Sequence, residues 1–180
     1  MKKMDLTEFN KIGFPDVTKC EALFDGFRDG LFQAEYSPNC KRSIKIQLDI
    51  KPESGGGFEQ RFFHLGHPGD GAANSRLMIE LRSKTDGFWY LDVYYSNGEK
   101  GQALIDENRL YPHGQWYTLE IDVTEKGISG YIDGKIECRS EEVPFRPLPF
   151  PGLSLGVRQN QVSWYKGGLR NLSIGEVNER

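Results

Sequence analysis

Apolar and polar residues alternate with a period of two along most of the chain. The clearest stretch is 116–137, whose predicted inward positions are Tyr117, Leu119, Ile121 and Val123. Such alternation is typical of a half-buried β-strand. Gly127 and the pair Asp133-Gly134 supply turn signals, because glycine adopts the backbone conformations that tight turns require. The stretch therefore predicts two strands and two turns of an antiparallel sheet, with 135–138 leaving the second turn.

The same alternation predicts strands elsewhere in the chain. They lie at 43–51, 58–65, 76–82, 88–95, 101–105, 153–158 and 168–177, with two short strands within 20–36. The four prolines of 141–151 favour an extended crossing segment, since proline lacks the donor that a sheet ladder needs. A short helix is indicated only at 5–11, ended by Pro15. We therefore expect an all-β, two-sheet antiparallel sandwich at 20–180, preceded by an extension at 1–19.

Charge and composition exclude several classes of protein. The 180 residues carry a formal net charge of −3, so no overall basic field points to nucleic acid. No apolar run approaches the roughly 20 residues of a membrane span, which argues against membrane insertion. The basic start lacks the hydrophobic segment of a secretory signal. We expect a cytoplasmic protein as the sequence is written, or an extracellular one if a signal precedes it.

Cysteine usage does not indicate a disulfide framework. The three cysteines are Cys20, Cys40 and Cys138, an odd and sparse set. We expect three partly buried thiols, with one bridge plus a free thiol as the alternative.

Several short motifs occur in the order found in bacterial laminin-G-like domains, which they resemble. They are 22–26 (ALFDG), 46–52 (IQLDIKP), 64–66 (HLG), 131–135 (YIDGK), 155–156 (LG) and 167–174 (GGLRNLSI). The resemblance covers residues 20–177 and implies a concanavalin A-like lectin/glucanase jelly roll with one concave sheet. It implies the fold rather than an activity, since this scaffold hosts lectins, glycosidases, lyases and adhesion modules.

Two further motifs are similar to parts of known active sites. Residues 120–125 resemble the E-x-D-x-x-E strand of laminarinase-type glucanases, and glycoside hydrolysis does require paired carboxylates. They lie in the first arm of the predicted hairpin, where the wet face of a strand explains acidic residues better. Residues 76–82 resemble the R-x-E-L-R strand of alginate-lyase-type enzymes, whose arginines could bind a uronate carboxylate. Arg158 stands where that resemblance requires a proton-donating tyrosine, so a solvated ladder of arginine and glutamate is the alternative.

No cofactor, catalytic residue or metal ligand is predicted with a defined pattern. His64 and His67 are three residues apart, which places them on opposite faces of a strand. We expect surface histidines rather than a shared metal site. The laminin-G-like resemblance alone implies that calcium could bind, with Asp25, Asp29 and Asp70 as candidate oxygen donors.

Residues 88–95 carry aromatic side chains on both faces of the predicted strand. Trp89, Leu91 and Val93 form the more apolar row and should face inward, which leaves Tyr90 and Tyr94 outside the core. Their rings could stack on the C–H face of a pyranose. The alternative is that these tyrosines pack beneath a loop or the N-terminal segment.

Charged residues border this aromatic row. A five-residue loop at 83–87 would set Glu80 opposite Tyr90 and Arg82 opposite Phe88. The predicted carbohydrate-binding residues, on the concave sheet face, are Glu80, Arg82, Tyr90, Asp92, Tyr94 and Arg158. Their charged groups could bind sugar hydroxyls or a uronate carboxylate.

The function that these features favour is a lectin-like module that binds an oligo- or polysaccharide. The first alternative is a small polysaccharide lyase or glycoside hydrolase that acts in the same groove, which would need a positioned acid and base. The second is a non-catalytic protein-interaction module, which would expose an apolar patch instead. We expect binding rather than catalysis. The sequence does not specify the glycan or the oligomeric state.

Overall fold

The computed structural model describes residues 21–85 and 87–177. These residues form thirteen strands: β1 Ala22–Asp25, β2 Leu31–Gln33, β3 Ile44–Pro52, β4 Glu59–Gly66, β5 Arg76–Ser83, β6 Phe88–Ser96, β7 Gly101–Ile105, β8 Tyr111–Pro112, β9 Tyr117–Thr124, β10 Gly127–Ile132, β11 Lys135–Ser140, β12 Leu153–Leu155 and β13 Lys166–Gly175. No helix occurs among the described residues. The helix expected at 5–11 and Cys20 lie outside them.

The strands form two antiparallel sheets. Sheet 1 has the order β1-β13-β3-β9-β10-β11. Sheet 2 has the order β2-β12-β4-β5-β6-β7, and β8 also pairs with β6. The predicted all-β, two-sheet sandwich is confirmed. The first described strand lies beside the last, with Ala22 opposite Leu169, as the resemblance implied.

The central stretch 116–137 folds as its alternation predicts. Leu119, Ile121 and Val123 are fully buried and Tyr117 is nearly so, and β9 pairs with β3 on one side and β10 on the other. Asp133 and Gly134 both have positive φ, 50° and 74°, which is the geometry of a type I′ hairpin turn. The predicted hairpin and its inward face are both confirmed.

The core lies between the inward faces of the two sheets. On sheet 2 it includes Leu77, Ile79 and Leu81 of β5, together with Trp89, Leu91 and Val93 of β6, all at most 2% exposed. The Trp89 ring centroid lies 5.1 Å from that of Tyr111 and 5.3 Å from that of Tyr117, so aromatic contacts join the sheets. Because the opposite residues of β5 and β6 face away from this core, they are available to build a site.

Several strand boundaries differ from prediction. β13 spans Lys166–Gly175 rather than 168–177. β12 ends at Leu155 rather than at 158, and Gly156 follows it with φ 76°, where a Cβ would lie 2.0 Å from the Phe24 ring. The chain leaves β12 at this point and passes over β4, where the Gln159 N–H donates to His64. β8 was missed within a predicted loop, since two residues are too few to show alternation. No helix in the described part of the chain has the length and hydropathy to span a bilayer.

Substitution of Leu119 tests the assignment of faces. Leu119→Ala should lower the free energy of unfolding by about 2–5 kcal/mol, because it removes fully buried methyl groups and leaves a cavity. Thr118 lies on the exposed face, where its hydroxyl donates to Asp49 Oδ1 at 2.8 Å. Thr118→Ala should therefore cost only about 1 kcal/mol. Urea unfolding measures both, and equal losses would contradict the assignment.

Candidate functional site

The outer face of sheet 2 carries charged side chains that are almost fully buried. Arg61 on β4, Glu80 on β5 and Asp92 on β6 lie in one row across the sheet, each 2% exposed. We call this region the charged face; its members on β4, β5 and β6 are Arg61, His64, Arg76, Glu80, Arg82, Tyr90, Asp92 and Tyr94. Charged residues are rarely buried without partners, so each of these side chains is expected to be paired with a group of opposite charge.

The register between β5 and β6 differs from prediction, although the faces do not. Arg82 lies opposite Tyr90 and Glu80 lies opposite Asp92, so the predicted pairs Glu80–Tyr90 and Arg82–Phe88 are wrong by two residues. The cause is the position of the turn, which lies one residue later in the chain than predicted: Ser83 pairs with Trp89, and the Lys84 backbone N–H donates to Phe88 O at 2.7 Å. A shift of two residues keeps every side chain on its face.

Two arginines and three carboxylates form an ion-pair network on this face. Both Nε and Nη2 of Arg82 lie 2.8 Å from Asp92 Oδ2, and Nη2 lies 3.7 Å from Glu80 Oε1. Arg61 Nη2 contacts Glu80 Oε2 and lies 3.0 Å from Glu59 Oε1. The network therefore runs without a break from β4 to β6.

Sequence reasoning missed Arg61. The pattern of β4 gave no clear inward face, and the structure shows why. The pairing with β5 shifts between Arg61 and Phe63, so that Phe62 and Phe63 are both fully buried. A bulge of this kind breaks the period of two and re-aims one side chain. Two adjacent phenylalanines beside an arginine were the only signal for it.

Several polar atoms of the network have no hydrogen-bond partner within the described residues. They are Nε and Nη1 of Arg61 and Oδ1 of Asp92. Burial raises the pKa of the Asp92 carboxyl above its usual value, while the hydrogen bond from Arg82 opposes that rise. Burial also lowers the pKa of Arg61 to about 10, and the charges of Arg158 and Arg76 act in the same direction. Arg61 thus has donors, and Asp92 an acceptor, without a hydrogen-bond partner in this part of the chain, on the two strands that flank β5.

A second charged group lies at the far end of the same face. Arg158, in the loop after β12, pairs with Asp70 Oδ1, and Arg76 Nη2 lies 3.8 Å from the same oxygen. The Arg76 guanidinium carbon sits 4.5 Å from the centroid of the Tyr94 ring, a cation–π contact. The predicted residues thus fall into two adjoining groups. Glu80, Arg82, Tyr90 and Asp92 form one, and Tyr94 and Arg158 belong to the other.

His64 is fully buried on this face, so its prediction as a surface histidine is wrong. The 156–159 segment folds across it, and the Gln159 N–H donates to its Nδ1 at 3.3 Å. Its Nε2 therefore carries the proton and donates to His67 O at 2.9 Å. Burial lowers the pKa of His64 to about 3, although the bond to His67 opposes this shift. The imidazole is neutral at physiological pH.

The rings on the charged face differ in access. Tyr90 is only 3% exposed and Tyr94 is partly exposed, so Tyr90 does not present the open ring that the sequence suggested. Phe58 and Phe88 are 59% and 36% exposed. The Arg82 guanidinium carbon lies 5.6 Å from the Phe58 centroid. The accessible rings are therefore at the Arg82 end.

Comparisons with known proteins identify the fold. No model of a known protein family and no curated protein sequence matches this chain. Solved structures do match. A heptameric SAP-like pentraxin from Limulus polyphemus superposes with a TM-score of 0.66 at 16% identity, over 91% of this chain and 79% of the pentraxin. Domains LG4-5 of the mouse laminin α1 chain superpose with a TM-score of 0.58 at 17% identity, over 84% and 40% of the two chains. The chain has a laminin-G-like, concanavalin A-like fold.

A third similar structure is a domain solved with a sugar. Domain 4 of AbnA, a GH43 extracellular arabinanase from Geobacillus stearothermophilus, was solved in complex with arabinotriose. Its TM-score is 0.55 at 20% identity, with 87% of this chain and 70% of that chain covered. This chain spans less than half of the laminin fragment. At these identities the likeness establishes the laminin-G-like fold alone.

Two of the candidate calcium ligands in this laminin-G-like fold, Asp25 and Asp70, are engaged by protein donors. Asp25 Oδ1 accepts backbone hydrogen bonds from Phe27, Arg28 and Asp29 at 2.9–3.1 Å. The Asp70 carboxylate pairs with Arg158. Among residues 21–85 and 87–177 no group of three His, Cys, Asp or Glu side chains could hold a metal ion.

The glucanase-like motif lies on the other sheet. Glu120 and Asp122 are on the outer face of sheet 1, where Lys45 Nζ lies 2.7 Å and 3.8 Å from their carboxylates. Both side chains are part-exposed on an amphipathic strand. The interpretation of these residues as the wet face of a hairpin arm agrees with that position, and the sandwich core separates them from the charged face.

Proposed function

We propose that this laminin-G-like domain binds an oligo- or polysaccharide on the charged face of sheet 2. The observation that carries the proposal is the set of buried, unpartnered atoms on Arg61 and Asp92. Buried polar atoms normally have hydrogen-bond partners, and each exception calls for an explanation. A ligand whose binding moves the side chains that cover these atoms, and that supplies both acceptors and donors there, would complete the network.

Sugar hydroxyls match these requirements. A hydroxyl donates one hydrogen bond and accepts two, so different hydroxyls of one sugar chain can accept from Arg61 and donate to Asp92. The pairs Arg61–Glu80 and Arg82–Asp92 are balanced in charge, which suits a polyhydroxyl group at this position. Phe58 and Phe88 offer exposed rings beside it. The arabinotriose complex of a domain with the same fold is consistent with this assignment.

A glycan panel tests the proposal. Retention on neutral and uronate polysaccharides would identify a ligand, and calorimetry would then give its affinity. Asp92→Asn with Tyr90→Ala should weaken binding at least about tenfold, since a lost charge-assisted hydrogen bond alone is worth that much. The matched control is Glu120→Gln, which removes a carboxylate from the opposite face of the sandwich and should leave affinity unchanged.

The outcomes separate the alternatives. Unchanged affinity in a folded Tyr90→Ala/Asp92→Asn variant would move the site elsewhere. Failure of the protein to bind any glycan would contradict the proposal and favour a protein-interaction module.

One observation favours catalysis as a second candidate function. Asp92 has a raised carboxyl pKa and Glu80 is its direct neighbour across the strands, so one carboxyl could serve as acid and the other as base. The same incubations should therefore be read for new chain ends. Cleavage that is lost in a Glu80→Gln variant shown to remain folded would identify a hydrolase or lyase, whereas binding without new ends would identify a lectin-like module.

A further inference from the structure

We infer that Arg76 and Arg158 form a subsite for the carboxylate of a uronate sugar, and that Asp70 fills it as a displaceable internal substitute. This inference rests on the proposed function and names a class of ligand for it. Its basis is a set of ion pairs whose members differ in exposure to solvent. Asp70 is 73% exposed, whereas the arginine side chains that it meets are 4% and 12% exposed.

The Arg76 guanidinium is held in place without Asp70, and so is the backbone of Arg158. Arg76 Nη1 donates to Gly71 O at 2.7 Å and to Asn74 O at 3.1 Å, and its guanidinium lies against the Tyr94 ring. Arg158 follows β12 in a segment closed by its own N–H donating to Val162 O at 3.1 Å. A guanidinium fixed by such contacts is prepared to bind a planar carboxylate.

Both guanidinium groups retain spare donors. Nε of Arg76 and Nε of Arg158 have no hydrogen-bond partner within the described residues, although Arg76 is only 3% exposed. Asp70 presents a single oxygen, Oδ1, to the two arginines. A ligand carboxylate could use both oxygens and so satisfy donors that Asp70 leaves unmet.

The Asp70 side chain can leave without unfolding its loop. The loop is closed by the Asn74 N–H donating to Gly71 O at 3.2 Å and the His67 N–H donating to Ser75 O at 2.9 Å, and neither bond uses the Asp70 carboxylate. The Asp70 carboxylate is itself 73% exposed, so solvent ions and an external carboxylate can compete with it for the two arginines.

The subsite adjoins the unpartnered atoms of Arg61 and Asp92. The charges of Arg158 and Arg76 both act on Arg61, which places the three cations on one surface. A uronate chain could therefore place hydroxyls at Arg61 and Asp92 and a carboxylate at Arg76 and Arg158. The ligand would be recognised by its acid group as well as by its ring.

The test is affinity for oligogalacturonate measured by calorimetry, with its methyl ester as the uncharged counterpart. Asp70→Asn should tighten binding of the free acid about tenfold and leave binding of the ester unchanged. Arg158→Gln should weaken binding of the acid. The matched control is Glu99→Gln, which changes net charge equally by removing an exposed carboxylate paired with Arg146; it should have no effect.

Three results would overturn the inference alone. If Asp70→Asn and Glu99→Gln tighten binding equally, general electrostatics explains the gain. If Asp70→Asn weakens binding of the acid, Asp70 supports the site rather than blocking it. A protein that binds neutral glycans but no uronate, as wild type or as Asp70→Asn, would refute this inference and leave the proposed function standing. If neither form binds any glycan, both fail.

Discussion

Replacing His64 with glutamine should remove a large part of the loss in the free energy of unfolding that acid causes. The folded-state pKa of His64 is lowered to about 3 by burial, whereas an unfolded histidine titrates near 6.5. Between these values the unfolded chain binds a proton that the native protein excludes. Stability from this group is therefore complete above about pH 6.5 and declines as the pH falls.

The expected magnitude is large for one side chain. Below pH 6.5 the contribution of His64 to the free energy of unfolding falls by about 1.4 kcal/mol per pH unit. By pH 3 this loss amounts to about 5 kcal/mol. Glutamine can still donate to His67 O but cannot be protonated. Free energies of unfolding from guanidinium titrations at several pH values between 8 and 4.5 measure the difference between the two proteins.

The comparison depends on how the free energy of unfolding changes with pH, rather than on its value at any one pH. His64→Gln should cost some stability at pH 8, because the Gln159 N–H loses its acceptor. The difference in the free energy of unfolding between the two proteins should then become steadily smaller below pH 6.5. Parallel curves over this range would show that His64 is accessible to protons in the native state and would contradict its buried, neutral assignment.

Glu80→Gln should destabilise the protein by about 3–5 kcal/mol, since it leaves two arginines without their shared carboxylate. Glu80 is 2% exposed and contacts Arg61, which is equally buried. Loss of one member of a buried ion pair leaves a desolvated charge that the interior cannot compensate. Urea unfolding at neutral pH measures the change.

A matched substitution on the other sheet supplies the control. Glu120→Gln also removes a carboxylate from an ion pair, with Lys45 Nζ at 2.7 Å, but both side chains are about 30% exposed. It should cost less than about 1 kcal/mol. The double variant Arg61→Met/Glu80→Gln should lose less than the sum of its two single variants, because no uncompensated Arg61 charge remains. Equal losses from Glu80→Gln and Glu120→Gln would contradict the description of the charged face as desolvated.

The faces of the strands could be predicted from the sequence, because side-chain alternation is a local property. Trp89, Leu91 and Val93 were correctly assigned to the core for this reason. Register is a property of two strands and the turn between them. It was misjudged at Glu80 and Arg82, because the turn lies one residue later in the chain than predicted.

The charged face was harder to predict because it depends on contacts distant in sequence. His64 is buried by a segment that begins about 90 residues later at Gly156. The sequence around His64 does not indicate that this segment covers it. Arg61 was hidden by a bulge that disrupts alternation within β4. The predicted residues Glu80, Arg82 and Asp92 were recoverable since they alternate with apolar neighbours on long, regular strands.

The position of β13 within sheet 1 has a consequence for synthesis of the chain. β13 lies between β1 and β3 and pairs with both, yet it is the last of the described strands to be synthesised. Until it emerges from the ribosome, β3 has one edge of unpaired backbone groups and β1 has no neighbour in the sheet. Sheet 1 is therefore completed only once β13 has emerged, by contacts between strands distant in sequence, which close slowly. The nascent domain should depend on chaperones during this interval, when its unfinished edge is open to pairing with other chains.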